Sequence, residues 1–288
     1  MYTKISIIAY PCTLASHLAQ AESLRVHSLY RHTINLATTT ALLSLQPVTG
    51  VRTPLSVITG LSEDEFAALS LSQGDEGSVV GGIINLPGYY FCSKPREMWD
   101  PVVKAGKRQA LSKAEVEIEA AVTRLCGRSA VAAALFPKSA EQNPDLLTKA
   151  FSEHINAARK AASANMPNGA RRYSALVGLG NGLTPAGDDF LTGLLAALWH
   201  IRTLKEAAVF LDELICGIRD NLKTTSDISA EFLSRACQGE FSCLFIALLQ
   251  GRDKHNSIGR ICAMGHSSGV DALCGLLEGL RLFPTEIF

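Results

Sequence analysis

The stretch Leu176 to His200, L-V-G-L-G-N-G-L-T-P-A-G-D-D-F-L-T-G-L-L-A-A-L-W-H, decides how this chain is read. Gly178, Gly180, Gly182 and Gly187 fall within ten residues, the acidic pair Asp188 and Asp189 follows at once, and the rest is almost wholly apolar. Glycine admits positive φ and lets a ligand come close to the main chain. Thr184 followed by Pro185 reads as a cap and a first helical position. A helix that is apolar all round is a buried one. The run therefore predicts a tight glycine loop feeding the central buried helix of the molecule. The first amides of a helix lack partners inside it and suit an anion. Gly178, Gly180, Asn181, Gly182, Thr184 and Gly187 are thus the candidate anion-binding residues of this loop.

Helical patterns extend on both sides. Residues 111–126 place Ile118, Val122 and Leu125 on one face, with Gly127 as a stop. Residues 143–164 begin at Asn143-Pro144, a cap and first-position pair. Further helices fit 204–222, 229–250, 254–264 and 268–281. The first hundred residues differ in texture. Short β-leaning runs such as L-R-V-H-S-L-Y and S-V-V-G-G-I-I-N-L are broken by glycine and proline. Residues 62–70 read as a short helix or turn capped by Ser62, with Glu65 three residues later as in a capping box. The expected fold is α+β: a small, mostly antiparallel β-rich N-terminal domain, 1–105, followed by a larger helical C-terminal domain, 106–288, that carries the glycine-rich motif.

Composition narrows the function classes. At 288 residues, 47% hydrophobic and 19% charged, the chain buries a real core. Lys+Arg and Asp+Glu both total 27, and no basic run supports nucleic-acid binding. Near-zero net charge favours self-association, so a homo-oligomer or a complex subunit is expected. The N-terminal apolar run is too short for a signal peptide, and Phe190 to Ile201 is too short to span a bilayer. A cytoplasmic protein without membrane association follows. The eight cysteines form no C-x-x-C pair and none lies at zinc-finger spacing to a histidine. They read as reduced, buried thiols, Cys216 in L-I-C-G-I and Cys243 in F-S-C-L-F-I among them.

Two later segments resemble the glycine loop in kind: Lys223 to Ser229, K-T-T-S-D-I-S, and Gly265 to Asp271, G-H-S-S-G-V-D. Each clusters hydroxyls and small residues at a helix start. One reading is plain capping, by Thr225 or Ser226 in the first and by a Ser268–Asp271 capping box in the second. The other is that the three helices pack side by side with the same end up. Thr225, Ser226, Ser267 and Ser268 would then join the glycine loop around one phosphate- or carboxylate-binding pocket.

Known nucleotide fingerprints fit poorly. Gly182 to Gly187 has P-loop glycine spacing, but Asp188-Asp189 stands where Lys-Ser/Thr is required, and Gly178-L-Gly180-N-Gly182 falls short of G-x-G-x-x-G. Asp188 and Asp189 either favour the positive helix end, hold a Mg²⁺ that bridges to phosphate, or supply a general base or an orienting carboxylate. No other cofactor is indicated. His266, between glycine and serines, is the best histidine candidate for catalysis, beside Asp188 and Asp189; His200 ends the apolar helix and suits its C-terminus. No G-x-S-x-G elbow is present.

These residues resemble a bacterial family long catalogued under a carboxylase label. Its signature, G-L-G-x-G-L-T-P-x-G-D-D-F, is matched by Gly178 to Phe190 throughout. Asn35-Leu36, Trp99 to Pro101, Ser226 to Ser229, Ala236 to Gly239 and Gly265 to Asp271 are similar to the family's other pieces. One branch resembles the AllH-type subunit of oxamate carbamoyltransferase, from anaerobic allantoin (purine) breakdown. The resemblance implies an FdrA-like subunit and a third protein as partners. It implies a reaction interconverting oxalurate plus phosphate with oxamate plus carbamoyl phosphate. Such chemistry needs donors for a small anionic substrate, which glycine-loop amides and the hydroxyls above supply. Cations are scarce: Lys223 is the only Lys or Arg in the three loops. The alternatives are a non-catalytic metabolite-binding or scaffold subunit, or a Mg-dependent, carboxylase- or ligase-like enzyme.

Overall fold

The computed structural model describes residues 2–139 and 144–284. The chain divides into two compact units, Met1–Pro101 and Val102–Phe288.

The first unit has eight strands: β1 Thr3–Pro11, β2 Glu22–Tyr30, β3 Thr33–Thr38, β4 Leu42–Gln46, β5 Ser56–Thr59, β6 Glu76–Val80, β7 Ile83–Leu86 and β8 Tyr89–Trp99. Two short helices interrupt them, α1 Ala15–Ala19 and α2 Glu63–Ala67. The sheet is not simply antiparallel. It closes into a barrel in the order β1-β5-β4-β3-β2-β6-β7-β8. Six of the pairings are antiparallel, while β1 runs parallel to β8 and β4 parallel to β5. Closure leaves no unpaired strand edge. Alternate residues fill the interior, among them Ile5 and Ile7 of β1, Ile34 and Leu36 of β3, and Leu43 and Leu45 of β4. Phe66 of α2 joins this core. The capping box of α2 forms as read, with Ser62 and Glu65 bonding reciprocally.

The second unit is helical: α3 Ser112–Arg124, α4 Ala130–Leu135, α5 Leu146–Ala164, α6 Met166–Tyr173, α7 Ala186–Ile201, α8 Lys205–Asn221, α9 Asp227–Ala236, α10 Cys243–Leu249, α11 Lys254–Cys262 and α12 Ser268–Leu282. The molecule is α+β, barrel first and helices after. Helix α5 is capped by Asp145, whose carboxylate accepts from the Thr148 amide at 2.7 Å; Asn143, the expected cap, lies outside the described residues. The single helix expected over 229–250 is two. Gly239 takes φ +84° against the Trp199 ring, and Ser242 caps a new start at α10. Gly127 is not the stop of α3; the helix ends at Leu125 and Gly127 sits in a 3-10 turn, Cys126–Arg128.

Helix α7 is the buried centre, with Phe190, Leu191, Leu194, Leu195, Leu198 and Ile201 fully enclosed. It packs against α12 through glycine. A Cβ on Gly193 would lie 1.7 Å from the Ala272 carbonyl oxygen, and one on Gly275 would lie 1.7 Å from that of Phe190. Gly279 faces Leu194 and Ala197. The numbering rises together along both helices, so they run parallel and their N-termini share one end.

Not every cysteine is buried. Cys126, Cys237 and Cys274 are, but Cys12 and Cys216 are exposed. Cys216 follows Ile215 on α8, whose enclosed residues are Phe210, Leu211, Leu214 and Ile218, so the apolar neighbours in sequence face elsewhere. His200 is buried, and Gly106 lies flat against its ring. Burial lowers its pKa and favours the neutral imidazole. A cation at the C-terminus of α7 is therefore not its role. Among the described residues no helix is long and apolar enough to cross a membrane.

Candidate functional site

The glycine loop reverses sharply before α7. Gly178, Gly180 and Gly182 have φ of +76°, +130° and +100°, a region that side chains with a Cβ rarely adopt. The reversal lets the Gly187 amide donate to the Leu179 carbonyl at 2.8 Å. Gly187 also has no room for a side chain, since a Cβ would sit 2.0 Å from the Leu176 oxygen. Asn181, Gly182 and Leu183 remain exposed at the tip. The Gly180, Asn181 and Gly182 amides meet no backbone carbonyl among the described residues.

Thr184 does not cap α7. Pro185 occupies the cap position and no side chain bonds there. The Thr184 hydroxyl instead lies 3.2 Å from that of Ser268 at the start of α12. The Ser268–Asp271 capping box does not form either: Ser267 stands at the cap position of α12 without a side-chain bond. Ser226 is a cap, accepting from the Ser229 amide at 3.2 Å, and its hydroxyl donates to the Leu183 carbonyl at 2.5 Å.

Asp188 binds the first two loops together. It is 1% exposed. Its Oδ1 accepts from the Gly178 amide at 2.8 Å, and its Oδ2 accepts from the Ser229 hydroxyl at 2.6 Å and from the Thr225 hydroxyl. The starts of α7, α9 and α12 thus meet, joined through Asp188, Ser226 and the Thr184–Ser268 pair. With both carboxylate oxygens engaged by protein donors, Asp188 is a structural clasp. Among the described residues no group of three or more His, Cys, Asp or Glu side chains gathers to hold a metal. A divalent cation here would find only the Asp189 carboxylate of the acidic pair.

Asp189 and Asp271 have the opposite character. Each lies in the first turn of its helix, α7 and α12 respectively. The Asp189 Oδ2 and the Asp271 Oδ2 are both buried without a hydrogen-bond partner. Asp271 is wholly enclosed, and its Oδ1 accepts from the Ser129 hydroxyl. Burial pushes the Asp189 pKa up to about 8, against the pull of the Ser268 and Thr184 hydroxyls, with Asp271 nearby adding to the rise. Burial likewise raises Asp271 to about 6, opposed by the hydroxyls of Ser129 and Ser267.

Asp271, Ser129 and Arg128 were not singled out as site residues by the sequence reading. Ser129 caps α4, accepting from the Ala132 amide at 2.9 Å. It stands 142 positions from Asp271, and no local pattern connects the two. Arg128 donates to the His266 carbonyl at 2.7 Å and brings a cation beside the third loop. His266 itself is exposed. Lys223, in the 3-10 turn Leu222–Thr224, is exposed as well.

A closed barrel followed by a helical unit whose helix starts converge on buried carboxylates defines an α+β protein. Residues 176–280 match the model of the family described as oxamate carbamoyltransferase subunit AllH, and over that segment the chain is similar to it. The match runs from the start of the glycine-rich stretch to the last turns of α12 and so takes in all three converging loops. It supports a subunit of an oxamate carbamoyltransferase complex. No solved structure matches the chain.

Proposed function

We propose that this chain is a subunit of a carbamoyltransferase complex of allantoin catabolism and that it binds a small anionic substrate where α7, α9 and α12 begin. The substrates are oxalurate with phosphate in one direction, and oxamate with carbamoyl phosphate in the other. A phosphate oxygen attacks the ureido carbonyl of oxalurate. The bond from that carbon to the oxamate nitrogen breaks, the nitrogen takes up a proton, and carbamoyl phosphate leaves. Positive helix ends and unpaired amides stabilise the anions and the developing oxyanion.

The observation that carries this reading is the convergence of three helix starts separated by up to 84 positions in sequence, as Thr184 and Ser268 are. Gly180, Asn181 and Gly182 supply amides, and Thr184, Ser267 and Ser268 supply hydroxyls. Thr225 and Ser226 hold the loops in place. Cations are few in the loops, so partner subunits, an FdrA-like protein and a third chain, bring the remaining positive charge; Arg128 is the one this chain adds beside His266. The test is phosphate-dependent oxalurate cleavage by the reconstituted complex with the Thr184→Val/Ser268→Ala variant. A fall in kcat/KM of about tenfold or more, with assembly unchanged, is the expected result. Unaltered turnover would remove the substrate from this site.

A further inference from the structure

The glycine loop and helix starts account for an anion, but they leave two atoms unexplained. The Asp189 Oδ2 and the Asp271 Oδ2 are buried acceptors with no donor. Other hydrogen-bonding capacity around them is in use. Ser129 donates to the Asp271 Oδ1 while accepting from the Ala132 amide, and Thr184 pairs with Ser268. Buried side-chain oxygens are nearly always satisfied, and one left empty is destabilising. Two at one place, on parallel neighbouring helices, call for a ligand that brings its own hydrogen-bonding groups. Asp271 is wholly enclosed.

We propose that Asp189 and Asp271 are the specificity residues for the primary amide of the substrate, receiving its –NH₂ end while the helix starts hold its anionic end. This rests on the anion-site reading above and adds which end of the molecule each part of the site takes. The protonation states suit an amide. Asp189, with its pKa pushed up to about 8, carries a proton at neutral pH and can donate to the amide carbonyl. Asp271, at about 6, is mostly ionised and accepts from the nitrogen. A neutral Asp189 also does not repel the anionic end. The ligand class is therefore a short carboxylate or phosphate that ends in –C(=O)NH₂; oxamate and carbamoyl phosphate both have that form.

The test uses isosteres that replace –NH₂ by –CH₃. Binding of oxamate and of pyruvate to the reconstituted complex is measured by calorimetry, with carbamoyl phosphate against acetyl phosphate as a second pair. Oxamate is expected to bind about a hundredfold more tightly than pyruvate, because a site built for hydrogen bonds rejects the analogue that leaves its polar groups unpaired. Asp271→Asn turns a donor toward the ligand nitrogen and is expected to bring the ratio within about threefold. Asp271→Ala, which removes the acceptor outright, is the second variant should Asp271→Asn fail to fold, and its melting temperature is recorded alongside. Oxamate binding to the wild type should also weaken above about pH 8, as Asp189 loses its proton. Equal binding of the two isosteres, the behaviour of a cavity filled by trapped water, overturns this assignment and leaves the anion site standing. Binding of neither overturns both. A folded Asp271→Asn or Asp271→Ala that keeps the wild-type ratio overturns the amide assignment alone.

Discussion

The barrel and the helical unit bury different things. The enclosed polar side chains of the barrel are neutral: Asn35, Ser44, Thr53, Ser56 and Thr59. They bond to one another or to the backbone, as Ser44 does to Asn35 at 2.7 Å and Thr59 to the Gln46 carbonyl at 2.9 Å. Every buried acidic, basic or imidazole side chain among the described residues lies in the second unit: Arg108, Asp188, His200, Arg235, Glu240, Asp271 and Glu278. Some are structural pairs. Glu278, 2% exposed, accepts from Arg159 at 2.8 Å and 2.5 Å and also from Tyr173. Others sit at helix starts with an oxygen left over. Burying charge is unfavourable unless it is paired. A unit that does so repeatedly, and leaves Asp189 and Asp271 half-satisfied, has given up stability at one place, the pattern expected of a candidate functional site.

The sharpest way to break this comparison is at the α7–α12 contact. Gly275→Val is expected to destabilise the helical unit by about 3 kcal/mol, because its Cβ would meet the Phe190 carbonyl oxygen at 1.7 Å and the two helix starts would be forced apart. Urea unfolding followed by fluorescence measures it. A loss under about 1 kcal/mol would mean the helices are not packed backbone to backbone.

Asp188→Ala comes next, at about 2 kcal/mol, since it strands the Gly178 amide and the hydroxyls of Thr225 and Ser229. Hydrogen exchange of residues 178–182 should quicken far more than exchange of the barrel strands. Uniform quickening would contradict Asp188 as the clasp of the loops.

The smallest effect is on pH dependence. Asp189 and Asp271 have native pKa values raised from 3.8 to about 8 and about 6. The native state therefore keeps protons that the unfolded state has released, and the stability they contribute is present below about pH 4 and lost as pH rises through 6 and then 8. His200 is lowered from 6.5, so its contribution is present above that value and lost as pH falls below it. Thermal melts of the helical unit should decline by a few degrees between pH 6 and 9, and Asp189→Asn should flatten the upper part of that slope. The barrel's shifted carboxylates, Glu65 and Glu97, are lowered and act only in acid, so its melting should be flat over the same range. An equal slope in both units would erase the distinction.

Much of the helical unit is legible because its signals are local. The all-apolar run after Asp189 and the Ser226 cap, like the Ser62–Glu65 box of the first unit, need only neighbouring residues to form. Barrel closure is not legible in this way. Alternation in β1 to β8 shows strands, but the parallel pairing of β1 with β8 joins residues more than eighty positions apart, such as Thr3 with Tyr89. Thr184 and Ser268 look like caps and are not, because the parallel packing of α7 and α12 gives their hydroxyls each other instead. The break at Gly239 depends on the Trp199 ring, which local pattern does not reveal.

By itself the chain determined where the backbone must turn tightly at the glycine loop and which helix is enclosed, since these depend on residue size, apolarity and dihedral freedom over a few positions. Only the tertiary structure decided what the acidic residues do. Asp188 and Asp189 are adjacent and chemically identical. One is saturated by donors from Gly178, Thr225 and Ser229, and the other keeps a buried oxygen without a donor. A carboxylate's role is set by the donors and the solvent around it, and those arrive from helices that the sequence order keeps far apart.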